Sequence, residues 1–289
     1  MTPVTIVKLG GSAITNKTVE CTPDLATIQS SVRQLSFFNK PLVLLHGAGS
    51  YGHPIVKRAQ LQEGLRKKSQ LRAIGETELC LDQLARIVQV SLLRENMRFV
   101  PLGPMSFLTM KAGRVEGLFI EPVRRAIKGG LIPVIHGDLA FDSKKGVSVI
   151  SADQLASRIG TEFNGSRVLF GCDVDGVLKE YTMSSGPRET INVVDKNNAR
   201  QVLTSLRKST GKDITGGMYG KVREALVLAR RGRTSFIFNL KKKGMLAEAL
   251  AGNFESGTSF PPWTTRRNAT PRGLRDRTRR LCTSNRGQN

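Results

Sequence analysis

Cysteine, histidine, aromatic residues and acids are all scarce in this chain. Its four cysteines stand far apart, at positions 21, 80, 172 and 282. No CxxC pair or Cys/His cluster is present, so neither a zinc module nor a local redox motif is encoded. Reduced thiols in a cytoplasmic protein are the expectation. Aromatic residues make up 6% of the chain, with a single tryptophan, which leaves little for stacking nucleic-acid bases. No apolar run approaches the ~20 residues of a membrane span. The first eight residues, through Lys8, lack the basic and long apolar regions of a signal peptide and read as a strand. There is no Ser-His-Asp order and no paired-carboxylate motif. Asp+Glu number 23 against 45 Lys+Arg, a formal charge of +22, so the partners to expect are polyanions.

The remaining composition is that of a folded α/β protein. The 289 residues are 39% hydrophobic and include 29 glycines, enough for one large domain or two small ones. Strands are predicted at 4–9, Leu42–His46, Phe99–Pro101, Ile132–His136, 168–171 and Thr234–Asn239. Helices are predicted at 25–38, 74–94, Glu121–Lys128, 153–160, 196–209 and 219–231. Their alternation implies a mainly parallel sheet covered by helices on both faces, with ligands beyond the carboxyl ends of the strands. From residue 264 onward there are eight arginines and one aspartate, a net of +7, without apolar periodicity. This stretch reads as a disordered basic tail outside the domain at 1–263. The cluster Lys57, Arg58, Arg66, Lys67, Lys68 and Arg72 reads as a solvated face.

Five segments carry chemistry. Lys8-Leu-Gly10-Gly11-Ser12, with Lys17 nearby, puts a lysine at a strand end and then lets the backbone approach a phosphate. Because the lysine precedes the glycines, this is not a Walker A loop. His46-Gly-Ala-Gly-Ser-Tyr-Gly-His53 is a glycine turn that opens a helix, with His53 on its first turn as a phosphate donor and His46 structural. His136-Gly-Asp138 leads to Ile150-Ser-Ala-Asp153, where Asp153 either caps a helix or orients lysines. Asp173-Val-Asp-Gly176-Val follows a strand and suits a nucleotide. Asp213-Ile-Thr-Gly-Gly217-Met-Tyr-Gly-Lys221 presents a late lysine.

In this order the five segments resemble the amino acid kinase family, and within it the isopentenyl phosphate kinases. The resemblance runs from residue 4 to about 260, and HGAGSYGH (46–53) is its most specific part. It implies an open three-layer αβα sandwich, with an acceptor-binding half at about 1–165 and an ATP-binding half at 166–263. By resemblance Lys8, Gly10, Gly11, Ser12, Gly49, Asp173, Gly176, Gly217 and Lys221 meet ATP. Ala48, His53 and Ala152 meet the acceptor phosphate. Lys17 stabilises the transition state, and Asp153 organises the lysines. The implied reaction is direct transfer from ATP, with Mg2+, to isopentenyl phosphate in a cytoplasmic homodimer without a membrane partner. A fosfomycin-kinase-like activity is the alternative within the fold. A nucleic-acid-binding protein acting through the tail and the basic cluster at 57–72 is the alternative outside it. Alanine replaces the glycine common in the family at 48 and 152, which the backbone tolerates if φ stays negative. The family usually ends shortly after a Gly-Thr pair, here Gly257-Thr258, and the basic tail has no counterpart.

Overall fold

A computed structural model describes residues 3–179, 189–209 and 217–263. The basic tail, together with Asp213 and Thr215 of the last glycine segment, lies outside the described residues. The chain begins with β1 (Thr5–Leu9), α1 (Gly11–Ile14), α2 (Leu25–Ser36), β2 (Leu42–His46), α3 (His53–Arg58), α4 (Leu71–Arg94) and β3 (Phe99–Pro101). It continues through β4 (Leu108–Lys111), β5 (Arg114–Leu118), α5 (Glu121–Lys128), β6 (Ile132–His136), β7 (Asp138–Asp142), β8 (Gly146–Ile150), α6 (Ala152–Glu162) and β9 (Arg167–Cys172). The last elements are α7 (Ala199–Ser209), α8 (Gly217–Arg230), β10 (Thr234–Asn239), α9 (Met245–Ala251) and β11 (Thr258–Phe260).

The main sheet has seven strands in the order β11-β10-β9-β1-β2-β6-β3, parallel except for the β10–β11 pair. Its central strands are continuously apolar because both faces are covered. Alternate residues divide between two cores. Ile6, Val43, Val168 and Ile237 pack with Leu155 and Ile159 of α6 and with Val222 and Leu226 of α8. Val7, Leu44, Leu169 and Phe236 pack with Ile28 and Val32 of α2, Leu84 and Val88 of α4, and Leu246 of α9. Each fully buried side chain of this size stabilises the fold by about 1.5–3 kcal/mol. The three-layer sandwich expected from the sequence is therefore present.

Helix starts follow local chemistry. The Asp24 carboxylate accepts from the Thr27 amide at 3.0 Å and caps α2, after which Ile28, Val32 and Leu35 recur on one face. Ser151, rather than Asp153, caps α6 by accepting from the Gln154 amide at 3.1 Å. Asp153 is thus left free of capping duty.

The sequence does not predict the second sheet, in the order β5-β4-β7-β8. It consists of two antiparallel hairpins joined by a single parallel bridge, Met110 to Asp142. One side chain fastens the junction. The Asp142 carboxylate accepts from the amides of Ala112, Gly113, Lys144 and Lys145 and from the Ser148 hydroxyl, at 2.7–3.0 Å. Burial works against the charged form, but these donors prevail and hold the carboxyl far below the usual range. A small third core, with Ile55, Leu61, Ala73, Leu139 and Val147, seats this sheet against α3 and the start of α4.

Candidate active site

The carboxyl ends of β1, β2, β6 and β9 lie in register, with Leu9 opposite both His46 and Gly171, and His46 opposite His136. Four loops therefore leave the sheet at one level. The first two interlock through bare backbone. A Cβ on Gly11 would stand 2.5 Å from the Gly49 amide nitrogen, and one on Gly47 would stand 2.5 Å from the Gly11 nitrogen. Gly49 also has φ +52, a conformation that side chains disfavour. The loops enclose a cavity of about 1110 Å³.

Asp153 is the hub of its floor. Lys221 Nζ donates to both of its carboxylate oxygens, at 2.9 Å each, and Lys8 Nζ lies 2.9 Å from Oδ1. All three residues are at least 92% buried. Burial alone would raise the Asp153 pKa, but Lys221 and Lys8 outweigh it and hold the carboxyl at about 2. Burial dominates at Lys8 and lowers its pKa to about 8, with Asp153 opposing and Lys221 reinforcing the shift. At Lys221 burial also works downward, yet Asp153 prevails and the net shift is upward. Two ammonium groups share one carboxylate, so the floor carries net positive charge.

A second pair flanks the first. The Ser12 hydroxyl donates to Asp173 Oδ1 at 2.7 Å, and Lys17 forms an ion pair with Asp173 Oδ2. Lys17 is largely exposed, whereas Lys8 and Lys221 are fixed, so the three lysines differ in freedom.

Of the residues singled out from sequence, Lys8, Gly11, Ser12, Lys17, Ala48, Gly49, His53, Ala152, Asp153, Asp173, Gly217 and Lys221 line the one cavity. Gly10 and Gly176 are not part of its wall. Gly10 packs on β9, where a Cβ would meet the Gly171 oxygen at 2.6 Å, and Gly176 packs against Thr190 and Thr258. Ala48 has φ −72 and Ala152 opens α6 with no positive φ, so alanine fits both positions without strain.

The sequence pattern of the amino acid kinase family matches residues 3–239. The chain belongs to the amino acid kinase family. It is 34% identical over 263 residues to isopentenyl phosphate kinase from Methanothermobacter thermautotrophicus, which covers 88% of this chain and 97% of that protein. Identity to isopentenyl phosphate kinase from Methanocaldococcus jannaschii is 28% over 263 residues, covering 87% and 96%. An X-ray structure of isopentenyl phosphate kinase superposes with a TM-score of 0.75 at 29% identity, covering 89% of this chain and 99% of that one.

In this amino acid kinase the apolar part of the cavity wall comes from α3, α4 and the second sheet together. Among Ile74, Leu79, Leu81, Leu84, Ile87 and Val88 of α4, only Leu81 reaches the cavity. Leu84 and Val88 are buried in the core, and Leu79 faces outward. The second sheet supplies Leu139, Val149 and Ile150, and α3 and α4 add Val56 and Thr77 beside them. The alternation in 138–142 and 146–150 across a short polar turn was the available signal for this hairpin. Lys57 and Arg58 also border the cavity, while Arg66 and Arg72 pair outward with Glu63 and Glu76. The basic cluster thus divides between the cavity and the solvated face.

Beneath this wall lies a set of ionisable groups that sequence reasoning did not connect. Asp138 lines the cavity, and its Oδ2 is 3.7 Å from His136 Nδ1. Glu78 of α4 lies near enough to Asp138 for each to shift the other's ionisation. Burial followed by Asp138 raises Glu78 to about 8, and burial is also what raises Asp138, to about 6. The His46 ring lies tilted beside that of His136 at 5.5 Å between centroids, and burial lowers His46 to about 3, so it is neutral.

Proposed function

We propose that the chain catalyses ATP-dependent phosphorylation of isopentenyl phosphate to isopentenyl diphosphate by direct in-line transfer. The observation that carries this reading is the Lys8–Asp153–Lys221 floor in a cavity also lined by His53. The relatives named above support the choice of acceptor.

The chemistry requires positive charge more than it requires a base. A phosphate monoester with a second pKa near 6 is mostly dianionic at neutral pH and is itself the nucleophile. The obstacle is repulsion, about 4 kcal/mol for each pair of unit charges ~4 Å apart at an effective dielectric of 20. Lys8 and Lys221 meet the charge between the two substrates, and Asp153 sets the spacing of their ammonium groups. The amides of the Gly10-Gly11 and Gly47–Gly49 loops add donors of fixed direction. Lys17, on its exposed loop, follows the transferring phosphoryl group, and its pairing with Asp173 parks it at the cavity edge. His53, with the Ala48 and Ala152 backbone, holds the acceptor phosphate in line. Leu81, Leu139, Val149 and Ile150 take the hydrocarbon tail.

ATP occupies the side made by Asp173, Gly217 and Lys221 of the half from residue 166, with Ser12 reaching across to Asp173 from the half before it, where the acceptor lies. Among the described residues no three His, Cys, Asp or Glu side chains gather to hold a metal, and Asp153 and Asp173 are already engaged by lysines. Mg2+ therefore enters this proposal as the counter-ion of ATP, held by the nucleotide's own oxygens, and no step depends on a protein ligand to it. Among the described residues no helix is long and apolar enough to cross a membrane. A cytoplasmic homodimer completes the proposal, on the strength of the family resemblance, and light scattering tests the dimer.

The deciding experiment is ADP release with isopentenyl phosphate measured against acetylglutamate, glutamate, UMP and fosfomycin. The highest kcat/KM is expected for isopentenyl phosphate, and better turnover of any of the others overturns the assignment.

A further inference from the structure

The sequence separates Cys21 and Cys80 by 59 positions, yet their Sγ atoms lie 3.9 Å apart. Both are free thiols, with Cys21 exposed and Cys80 half-buried on α4. Their setting is specific. Residues 16–22 form a closed loop, with the Asn16 amide donating to the Thr22 carbonyl at 2.8 Å and a bridge joining Thr15 to Pro23. This loop carries Lys17, Thr18 and Glu20 onto the cavity wall. Its Cys21 has φ +50 and donates its amide to the Ser50 carbonyl of the second glycine turn, at 3.2 Å. Cys80 immediately precedes Leu81, which lines the acceptor side. The two thiols meet where the loop bearing Lys17 crosses the helix that backs the acceptor pocket.

We propose that Cys21 and Cys80 form a reversible disulfide that clamps the Lys17 loop to α4. A disulfide needs an S–S distance of about 2.05 Å, so closure asks the exposed loop to move by roughly 2 Å. Glutathione disulfide is the class of oxidant that balances the reaction. The Cys21 thiolate attacks one of its sulfurs, the S–S bond breaks, and one glutathione leaves. Cys80 then attacks Cys21 Sγ in the mixed disulfide and releases the second glutathione. Two electrons pass to the oxidant, and the two thiol protons end on the two glutathiones. The clamped loop holds Lys17 at a fixed distance from the floor, so it no longer follows the phosphoryl group. Oxidation thereby lowers kcat and leaves the acceptor-holding groups in place.

The test uses the full-length reduced protein and glutathione disulfide. Burial, Cys80 and Glu20 raise the Cys21 thiol above its ordinary value while Arg58 opposes them, so exchange is run at about pH 8.5 to populate the thiolate. After alkylation and trypsin, peptide 18–33 should be joined to peptide 73–86 with the loss of two hydrogens, and dithiothreitol should separate them. ADP release should fall several-fold on oxidation and recover on reduction, while Cys80→Ser keeps its rate through the same treatment. Peptides 18–33 and 73–86 found only singly, alkylated or glutathionylated, overturn the disulfide. A joined pair with an unchanged rate overturns the clamp. The peptide result is independent of which acceptor the enzyme phosphorylates, so failure of the substrate assignment leaves this inference standing.

Discussion

Lys221 donates to both oxygens of Asp153, at 2.9 Å each, although 68 residues separate them in the chain. Asp153 is thereby the element that allows Lys221 and Lys8 to be buried as a like-charged pair. Substituting Asp153→Asn leaves two ammonium groups without a counter-ion. Stability should drop by about 3–5 kcal/mol, the usual cost of breaking a buried pair, and kcat by on the order of 10²–10³. Thermal denaturation and ADP release check both. The folded pKa of about 2 lies below the ordinary 3.8, so this contribution is complete above about pH 4 and is lost as pH falls toward 2. The wild type should show that acid loss and the variant should not.

Lys8, lowered to about 8 by burial, should set the alkaline limit of the enzyme. The profile of kcat/KM reports the free enzyme and free substrate, so it should fall above about pH 8 as the Lys8 ammonium deprotonates. ATP bound as proposed brings negative charge to Lys8 and favours its protonated form. The fall in kcat at saturating ATP should therefore begin at higher pH than the fall in kcat/KM. Superimposable alkaline limbs would contradict this role.

In the proposed role of His53, its removal takes a donor from the acceptor phosphate and leaves the lysine floor in place. A hydrogen bond to a charged group contributes about 1.5–3 kcal/mol. His53→Ala should therefore raise the KM for isopentenyl phosphate by roughly 10- to 150-fold, with the KM for ATP nearly unchanged. Steady-state kinetics with each substrate varied in turn will separate the two.

Glu78 offers a stability test that involves no chemistry at the cavity floor. Its folded pKa is raised from 4.5 to about 8, by burial first and then by Asp138. The protonated form is the one compatible with the fold, so the wild type should lose stability as pH rises from about 5 to 8. Glu78→Gln keeps the shape without the charge. The difference in Tm between variant and wild type should grow in favour of the variant across that interval. A constant difference would show that the carboxyl ionises in the fold as readily as it does in the unfolded chain.

Much of this molecule can be read in order along the chain. The apolar strands, the amphipathic helices between them and the lysines beside glycine turns are local patterns. Local patterns survive in sequence because strand and helix periods are set by the backbone itself. The family resemblance likewise rests on short contiguous segments such as residues 8–17 and 46–53. What those segments do to one another depends on registers far apart in the chain. Gly11 and Gly47 must be bare because each lies against the other's loop, and Asp153 is freed for the lysines because Ser151 takes the cap. The second sheet escaped notice because each hairpin is short and the two meet at a single parallel bridge anchored by Asp142. With it went three apolar residues of the cavity wall, Leu139, Val149 and Ile150. The same limit hid the approach of Cys21 to Cys80 and of Glu78 to Asp138. Sequence determined which elements form and which chemical groups the chain owns. Tertiary structure alone decided which of those groups share a counter-ion or come within reach of one another, because burial and Coulomb energy depend on separation in space.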